Sequence, residues 1–590
     1  MLQTLKLLQR LDTLEIYPYK DGDKLRVNDI HKELTDELRN QLREHKTAIL
    51  DLLTAKQNIC VETLYDLSPM QTGMLFHSQL TPNSGTYIEH TLLHVDDPVF
   101  DPARFIAAMQ QVINRHDSLR AAFRFEQGQA PVQVIGSQAP LPVTVLEWPS
   151  ISVEEYSTQL ATLVEQDRQT DFDLTQAPLL RLTVVELGPQ HDHRYDLLFT
   201  FHHILMDRWS VDLFWAAVQR AYVGLPLPQT PPYQAYIHHL RQQPTDSAFW
   251  QTYLAGFYAP TPLPGITTTP TQTQGQIASL MQPFSTEESQ QLADFARAQG
   301  LTMNALFQAA WAVLLARYTN ESDLLFGMVT SGRTAPVKGI ESILGLFINT
   351  LPFRVELGDN PTGMALLQQV AQTQLALQQR EHTALLEIQR WSELPAGTTL
   401  FETLLLFQNT PQSAGSTPRS AFRHGWVEPG ATGYPLIALV TPGSADHPTT
   451  LMISYDTARY AADTIGRILT HWQQLVMGIV TQPDLPVHHL PMLTAAEYHQ
   501  IVHEWNDTAV DFGPPQTIHA LFEQQVARTP DAIALVMAEE SPSDKWQVAS
   551  DNPAGSHQPP ATSLTYAELN ACANQLAHHL IELGVKADHW

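Results

Sequence analysis

Apolar and polar positions along this chain change period several times, and each change predicts an element. Leu38, Leu42, His45, Ile49 and Leu52 recur at spacings of four and three, which predicts a helix with one mostly apolar face. Thr35 suits its N-cap, and Asp36 and Glu37 suit a first turn beside the positive end of the helix dipole. Leu5, Leu8 and Leu11 predict a shorter amphipathic helix before it. Between the two, Leu14-Glu15-Ile16-Tyr17 and Lys24-Leu25-Arg26-Val27 flank the turn-forming Asp21-Gly22-Asp23, the pattern of a β-hairpin. Farther on, Leu197-Leu198-Phe199-Thr200-Phe201 is a run of apolar and β-preferring residues, as in a strand buried on both faces. The stretch from Met303 to Arg317 is apolar nearly all round and predicts a buried helix. Pro228, Pro231 and Pro232 break the pattern near the middle of the first 400 residues. Residues 538–563 are rich in Ser, Pro, Asp and Gly, which predicts a flexible surface insertion.

Composition narrows the class. A chain of 590 residues exceeds one core and should divide into several domains, and 43% apolar content supports globular folding. The net charge of -27 argues against nucleic acid or an anionic membrane as the main partner. Cys60 and Cys572 are too far apart in sequence to suggest a disulfide framework, which fits a reducing compartment. No apolar run approaches the ~20 residues that span a bilayer, and the first residues lack the apolar core of a secretory signal. The expectation is a soluble cytoplasmic protein.

The candidate chemistry lies in Phe201-His202-His203-Ile204-Leu205-Met206-Asp207-Arg208-Trp209-Ser210. The chain has 25 histidines and four His-His doublets, so a doublet alone decides nothing. Only this one follows a buried-strand pattern and precedes an aspartate, a tryptophan and a serine. Neighbours on a strand point to opposite faces, so one imidazole can face a cleft while the other packs. Imidazole titrates near neutral pH and suits proton transfer. Metal binding is not expected: His191-Asp192-His193 and the doublets lack the helical i,i+4 spacing or the cysteine clusters of zinc sites. No Gly-x-Ser-x-Gly elbow points to a serine nucleophile.

The ten-residue pattern resembles the His-His-x-x-x-Asp-Gly motif of condensation domains in nonribosomal peptide synthetases. Other segments resemble that family in its usual order: Leu67-Ser68-Pro69-Met70-Gln71-Thr72-Gly73-Met74-Leu75-Phe76-His77, then Arg115-His116-Asp117-Ser118-Leu119-Arg120-Ala121-Ala122-Phe123. Ser331-Gly332-Arg333, Gly345-Leu346-Phe347-Ile348-Asn349-Thr350-Leu351-Pro352, Tyr434-Pro435-Leu436 and Ile453-Ser454-Tyr455-Asp456 follow. The resemblance implies a mixed α/β (α+β) fold of two lobes, V-shaped like chloramphenicol acetyltransferase, over residues 63–490, with lobes at about 63–235 and 236–490. Residues 1–54 resemble a tubulysin-type docking domain, a small α/β unit, joined through a linker at 55–62. After a second linker at 491–504, residues 505–590 resemble the truncated N-terminal part of an adenylation domain, through Trp505-Asn506-Asp507-Thr508, Thr529-Pro530-Asp531 and Leu564-Thr565-Tyr566-Ala567-Glu568-Leu569-Asn570. Its phosphate-gripping loop is not in the sequence, so no adenylating activity is expected of it.

The resemblance also implies roles. Catalysis would be amide formation by attack of an acceptor amine on a donor thioester, both held on phosphopantetheine arms of separate carrier proteins, with no covalently bound cofactor in this chain. His203 is the candidate base and His202 its neighbour at the strand end. Asp207 is implied to be structural and paired with Arg333, with Trp209 and Asn349 beside the tunnel. Arg208 stands where the family has glycine, which leaves two placements open: crowding the tunnel or extending to solvent. The opening motif resembles domains that accept a D-configured donor and an L-acceptor. Lys20, Lys24 and Arg26 on the hairpin are candidates for selecting an acidic tail of an upstream synthetase subunit. An epimerising or dual-function domain, and a silent carrier-docking module, are the alternative readings.

Overall fold

A computed structural model of the chain describes residues 7, 11, 16–21, 24–29, 34–47, 49–50, 61–82, 84–125, 130–262, 276–395, 397–408, 422–425, 433–444, 447–511, 513–514, 516–537 and 562–586. These form two compact units, Met1–Ala496 and Glu497–Trp590.

At the start of the first unit, strands β1 (Ile16–Asp21) and β2 (Lys24–Asp29) pair antiparallel, with Asp21 opposite Lys24 at the closed end. Thr35 caps the Asp36–Glu44 helix, its hydroxyl accepting the Leu38 N–H at 3.3 Å. Leu7, Leu11, Ile16, Leu38, Leu42 and Ile49 pack into a small core of their own. The other apolar positions expected of these helices, Leu5, Leu8 and Leu52, lie outside the described residues, as do Gly22 and Asp23 of the expected turn.

The next strands are β3 (Val61–Asp66), β4 (Ile88–Val95), β5 (Ala121–Arg124), β6 (Val132–Gly136), β7 (Val143–Trp148), β8 (Leu180–Leu187) and β9 (Tyr195–His202). Later come β10 (Ile277–Pro283), β11 (Asp323–Thr330), β12 (Asn349–Glu356), β13 (Thr403–Phe407), β14 (Phe422–Gly425), β15 (Leu436–Thr441) and β16 (Thr450–Asp456). Strands β3, β6 and β5 form a small antiparallel sheet, and β14-β4-β9-β8-β7 form a sheet of five. The remaining strands form a sheet of six in the order β10-β16-β15-β13-β11-β12. All eight residues of β9 are buried, which explains its lack of polar alternation: both faces of this central strand are covered. The expected buried helix is Met303–Thr319, with Ala305 through Leu315 all buried and Trp311 packed against Trp472 at a ring separation of 5.0 Å.

Two large cores result. One gathers Phe105, Phe199, Phe214 and Trp215, the other Trp311, Phe326 and Trp472. Position in sequence does not sort residues cleanly between them. Tyr236, Ile237 and the later Ile340, Ile343, Leu344, Leu346 and Phe347 all pack in the first core. Strand β14 likewise leaves its sequence neighbours to pair with β4, Phe422 opposite Val95 and Gly425 opposite Leu92. Residues from both sides of 235/236 thus share the first core.

In the second unit, β17 (Ile533–Met537) and β18 (Thr562–Thr565) pair antiparallel beside the Ile518–Arg528 and Tyr566–Glu582 helices. The rings of Phe522 and Tyr566 lie 5.9 Å apart, yet none of this unit's described residues is fully buried. The stretch expected to link the two parts is partly helical, at Ala495–His499 and Gln500–Glu504. Of the Ser- and Pro-rich 538–563, all but residues 562 and 563 lie outside the described residues. No described helix is long and apolar enough to cross a membrane.

Candidate active site

Strand β9 ends at His202, and its antiparallel register with β4 sets Ile88 opposite His202 and Glu89 opposite Phe201. The His203 N–H continues the ladder by donating to the Tyr87 carbonyl at 2.8 Å. Alternation then separates the two imidazoles, as strand geometry requires. His203 lines a cavity of about 550 Å³ together with Glu89, Trp209, Ser331, Tyr434 and Ser454. Its Nδ1 is buried and has no hydrogen-bond partner among the described residues, so the ring is held by packing and backbone geometry.

His202 is not a lining residue of that cavity. It is buried between the rings of Tyr87 and Phe172, at 6.1 and 6.5 Å. Its Nδ1 accepts the Ile204 N–H at 3.1 Å, leaving Nε2 to donate to the Ser78 hydroxyl at 3.3 Å. Burial, then the neighbouring His203, pushes its pKa down to about 3. His202 is a neutral brace for the turn, and of the two catalytic candidates only His203 reaches the cavity.

The turn after the doublet leads into the Arg208–Tyr222 helix, with Asp207 as its N-cap. One Asp207 oxygen accepts the Ser210 N–H at 2.8 Å, and the other accepts the Phe347 N–H at 3.0 Å. Arg333 reaches the first oxygen at 3.3 Å, both side chains being buried. The same guanidinium donates to the carbonyls of Ile340 and Ile343 at 2.7 and 3.0 Å and to the Ser210 hydroxyl at 2.8 Å. Its carbon also lies 4.0 Å from the Phe347 ring centre, a cation–π contact. Both Asp207 oxygens thus accept hydrogen bonds, which hold the carboxylate in place. Burial lowers the Arg333 pKa, with Asp207 opposing that shift.

Trp209 fixes the same segment from outside, its indole N–H donating to the Glu341 carbonyl at 3.0 Å. Arg208 lies at the cavity rim, exposed, and pairs with Asp212 one turn on at 3.2 Å. Its side chain is mostly exposed while it also lines the cavity. Asn349 is buried at the start of β12, donating to the carbonyls of Glu381 and Thr383 at 2.8 and 2.7 Å, and does not line the cavity. Lys24 and Arg26 are exposed on β2, opposite Asp21 and Tyr19 in register, while Lys20 on β1 is opposite Leu25.

Two supports were not assigned from the sequence. Gln71, in the capping box of the Pro69–Leu80 helix, donates to the Ile204 carbonyl at 3.2 Å and so props the turn just after His203. Ser210 accepts the Gly345 N–H at 3.0 Å and donates to the Gly345 carbonyl at 2.7 Å, joining two distant segments. Both residues stand inside motifs quoted above. Their partners, more than 130 residues away in sequence, carry no local signal.

A strand-end imidazole thus lines the cavity, and the buried Asp207–Arg333 pair holds the turn that follows it. The condensation domain family model matches residues 61–502, and the chain belongs to that family. Condensation domains are amide-bond-forming acyltransferases of peptide synthetases, and condensation is the function of this stretch. The chain is 34% identical over 549 residues to a linear gramicidin synthase polypeptide of Brevibacillus parabrevis, a match covering 90% of this chain and 7% of that protein. It is therefore similar to a small part of a much longer relative. Among solved structures, it is similar to holo-AB3403, a four-domain nonribosomal peptide synthetase bound to AMP and glycine, with a TM-score of 0.66, 18% identity, and 89% of this chain and 39% of that chain covered. It is also similar to a starter condensation domain of rhizomide synthetase in complex with C8-CoA, with a TM-score of 0.58, 23% identity, and 73% and 98% covered. At these identities the structural likeness establishes the mixed α/β fold.

Proposed function

We propose that this chain joins a carrier-bound donor thioester to the amine of a carrier-bound aminoacyl acceptor, with His203 as the base. The amine nitrogen attacks the thioester carbonyl, the C–N bond forms and the C–S bond breaks. His203 takes the proton from nitrogen and returns it to the departing thiolate. The observation that carries this reading is that His203 lines the cavity while His202 is packed and neutral. A thioester is already activated, so orientation supplies much of the rate, and proton transfer by a placed imidazole adds ~10²–10⁴-fold. The phosphopantetheine arms belong to the carriers; this chain holds no covalent cofactor.

The finer assignments belong to the same proposal. The donor is D-configured and the acceptor L-configured, supported by the Leu67–His77 segment. Residues 1–54 form a docking domain for an upstream synthetase polypeptide, supported by a hairpin with its own small core and exposed Lys24 and Arg26. Residues 505–590 are the N-terminal part of an adenylation domain, supported by the paired β17 and β18 beside two amphipathic helices. The two lobes, about 63–235 and 236–490, enclose the tunnel, and the protein works in the cytoplasm.

The test mixes the protein with loaded donor and acceptor carriers and follows the dipeptidyl product by mass spectrometry. A D-ending donor should transfer faster than its L-ending twin. Equal rates, or faster use of the L-form with epimerisation, would favour the dual-function alternative. No product from either donor would favour the silent docking module.

A further inference from the structure

Away from the His203 cavity, four elements bring polar side chains to one point. His94 on β4 stands directly opposite Asp196 on β9, and its Nδ1 lies 2.6 Å from Asp196 Oδ1. His193, in the turn before β9, places Nε2 at 2.7 Å from that same oxygen. Tyr156, on the Val153–Arg168 helix, donates its hydroxyl to Asp196 Oδ2 at 2.8 Å. On its other side, His193 Nδ1 lies 2.6 Å from the carboxylate of Asp192. Asp196 is fully buried and His193 nearly so. One ligand atom from each of His94, His193 and Asp196 falls within 4.8 Å of the others.

Convergent lone pairs repel unless protons or a cation lie among them. In the structure a ring N–H donates into each of these carboxylate contacts, so a cation would replace the His193 Nε2 and His94 Nδ1 protons while His193 Nδ1–H stays on Asp192; a carboxylate behind a histidine is the usual orienting partner of a metal ligand. Two imidazoles and one carboxylate match the three-protein-ligand sets of zinc with an open fourth position, and not the all-oxygen sets of calcium or magnesium. We propose that His94, His193 and Asp196 form a site for a first-row transition cation of the Zn²⁺ type, with Asp192 and Tyr156 as outer partners. Tetrahedral zinc at ~2.0–2.1 Å from each ligand separates the ligand atoms by about 3.3 Å. The atoms now 2.6–2.7 Å apart must therefore open by about 0.6–0.7 Å on loading. His94, whose side chain is 20% exposed, and His193, on a turn, are the parts able to move.

The cation would staple β4, β9 and the β8–β9 turn, with the Val153–Arg168 helix joined through the Tyr156 hydroxyl on Asp196. His94 and Tyr156 also line a second cavity of about 680 Å³, and its Tyr434 and Ile277 line the His203 cavity too. The inference stands apart from the condensation reading, because its test needs no turnover.

The experiment titrates chelator-treated full-length protein with Co²⁺ and then Zn²⁺, following visible absorption and binding heat. One saturable equivalent of Co²⁺ with a tetrahedral spectrum, displaced by Zn²⁺, is expected. His94→Ala and His193→Ala should abolish that equivalent, and Asp192→Asn should weaken it by ~10–100-fold. Saturating Zn²⁺ should raise the melting temperature of the parent protein and not of His94→Ala. No saturable equivalent, or one that survives His94→Ala, would mean that protons alone hold the cluster and would overturn the proposal. If His193→Ala fails to fold, His94→Ala and the exposed Asp192→Asn decide the matter.

Discussion

Arg333 Nη2 lies 3.3 Å from Asp207 Oδ1, and the two buried charges are joined across 126 residues of sequence. Arg333 follows β11 of the six-stranded sheet, while Asp207 caps the helix after the turn that follows the doublet. The pair therefore fixes the turn bearing His203 to the segment Ile340–Phe347 that packs beneath it.

Removing one member of this latch should cost more than the single contact suggests, because the other charge stays buried and unpaired. Breaking a buried pair costs ~3–5 kcal/mol. Asp207→Ala should lower both the melting temperature and amide formation. A melting temperature equal to that of the parent protein would show that the latch does not hold the fold.

Gln71→Ala should lower product formation through the turn it supports. The substitution leaves the buried Ile204 carbonyl without its side-chain donor, a loss of about 1–3 kcal/mol. Thermal unfolding measures the first effect and carrier-based turnover the second. Parent-level values in both would remove Gln71 from the support of His203.

Much of this arrangement was legible locally. An apolar run followed by the doublet gave the strand, its end and the split between two imidazoles, because alternation is a property of neighbouring residues. Thr35 and the Met303–Thr319 helix were legible for the same reason: caps and periods are short-range. The contacts that set the site were not. Gln71 to Ile204 spans 133 residues, and the pairing of β14 with β4 crosses more than 300. Nor does spacing reveal that His94 faces Asp196, since cross-strand register is decided by tertiary packing. Arg208 shows the converse limit: its identity departs from the family pattern, and only its pairing with Asp212 shows where the side chain goes.

Arg208→Gly should therefore leave product yield at the parent level. The exposed pair with Asp212 contributes ~0.3–0.5 kcal/mol, and glycine weakens the first helical turn slightly. A large rise in turnover would show that the cation obstructs the tunnel after all.

Acid should weaken the fold in part through His202. Its folded pKa of about 3 lies below the unfolded value of ~6.5, so between these limits the unfolded chain binds the extra proton. Stability is unaffected by this group above ~6.5 and declines as pH falls from there toward about 3. His202→Gln, compared with the parent in urea titrations at pH 7 and pH 5, should show a smaller loss on acidification. An equal loss in both proteins would indicate that His202 is not held neutral.

The most direct test replaces the imidazole of the doublet that lines the cavity. His203→Ala, given loaded donor and acceptor carriers, should form dipeptidyl product at least ~10²-fold more slowly than the parent while melting at the same temperature. Turnover at the parent rate by a folded His203→Ala protein would contradict the assignment of His203 as the base.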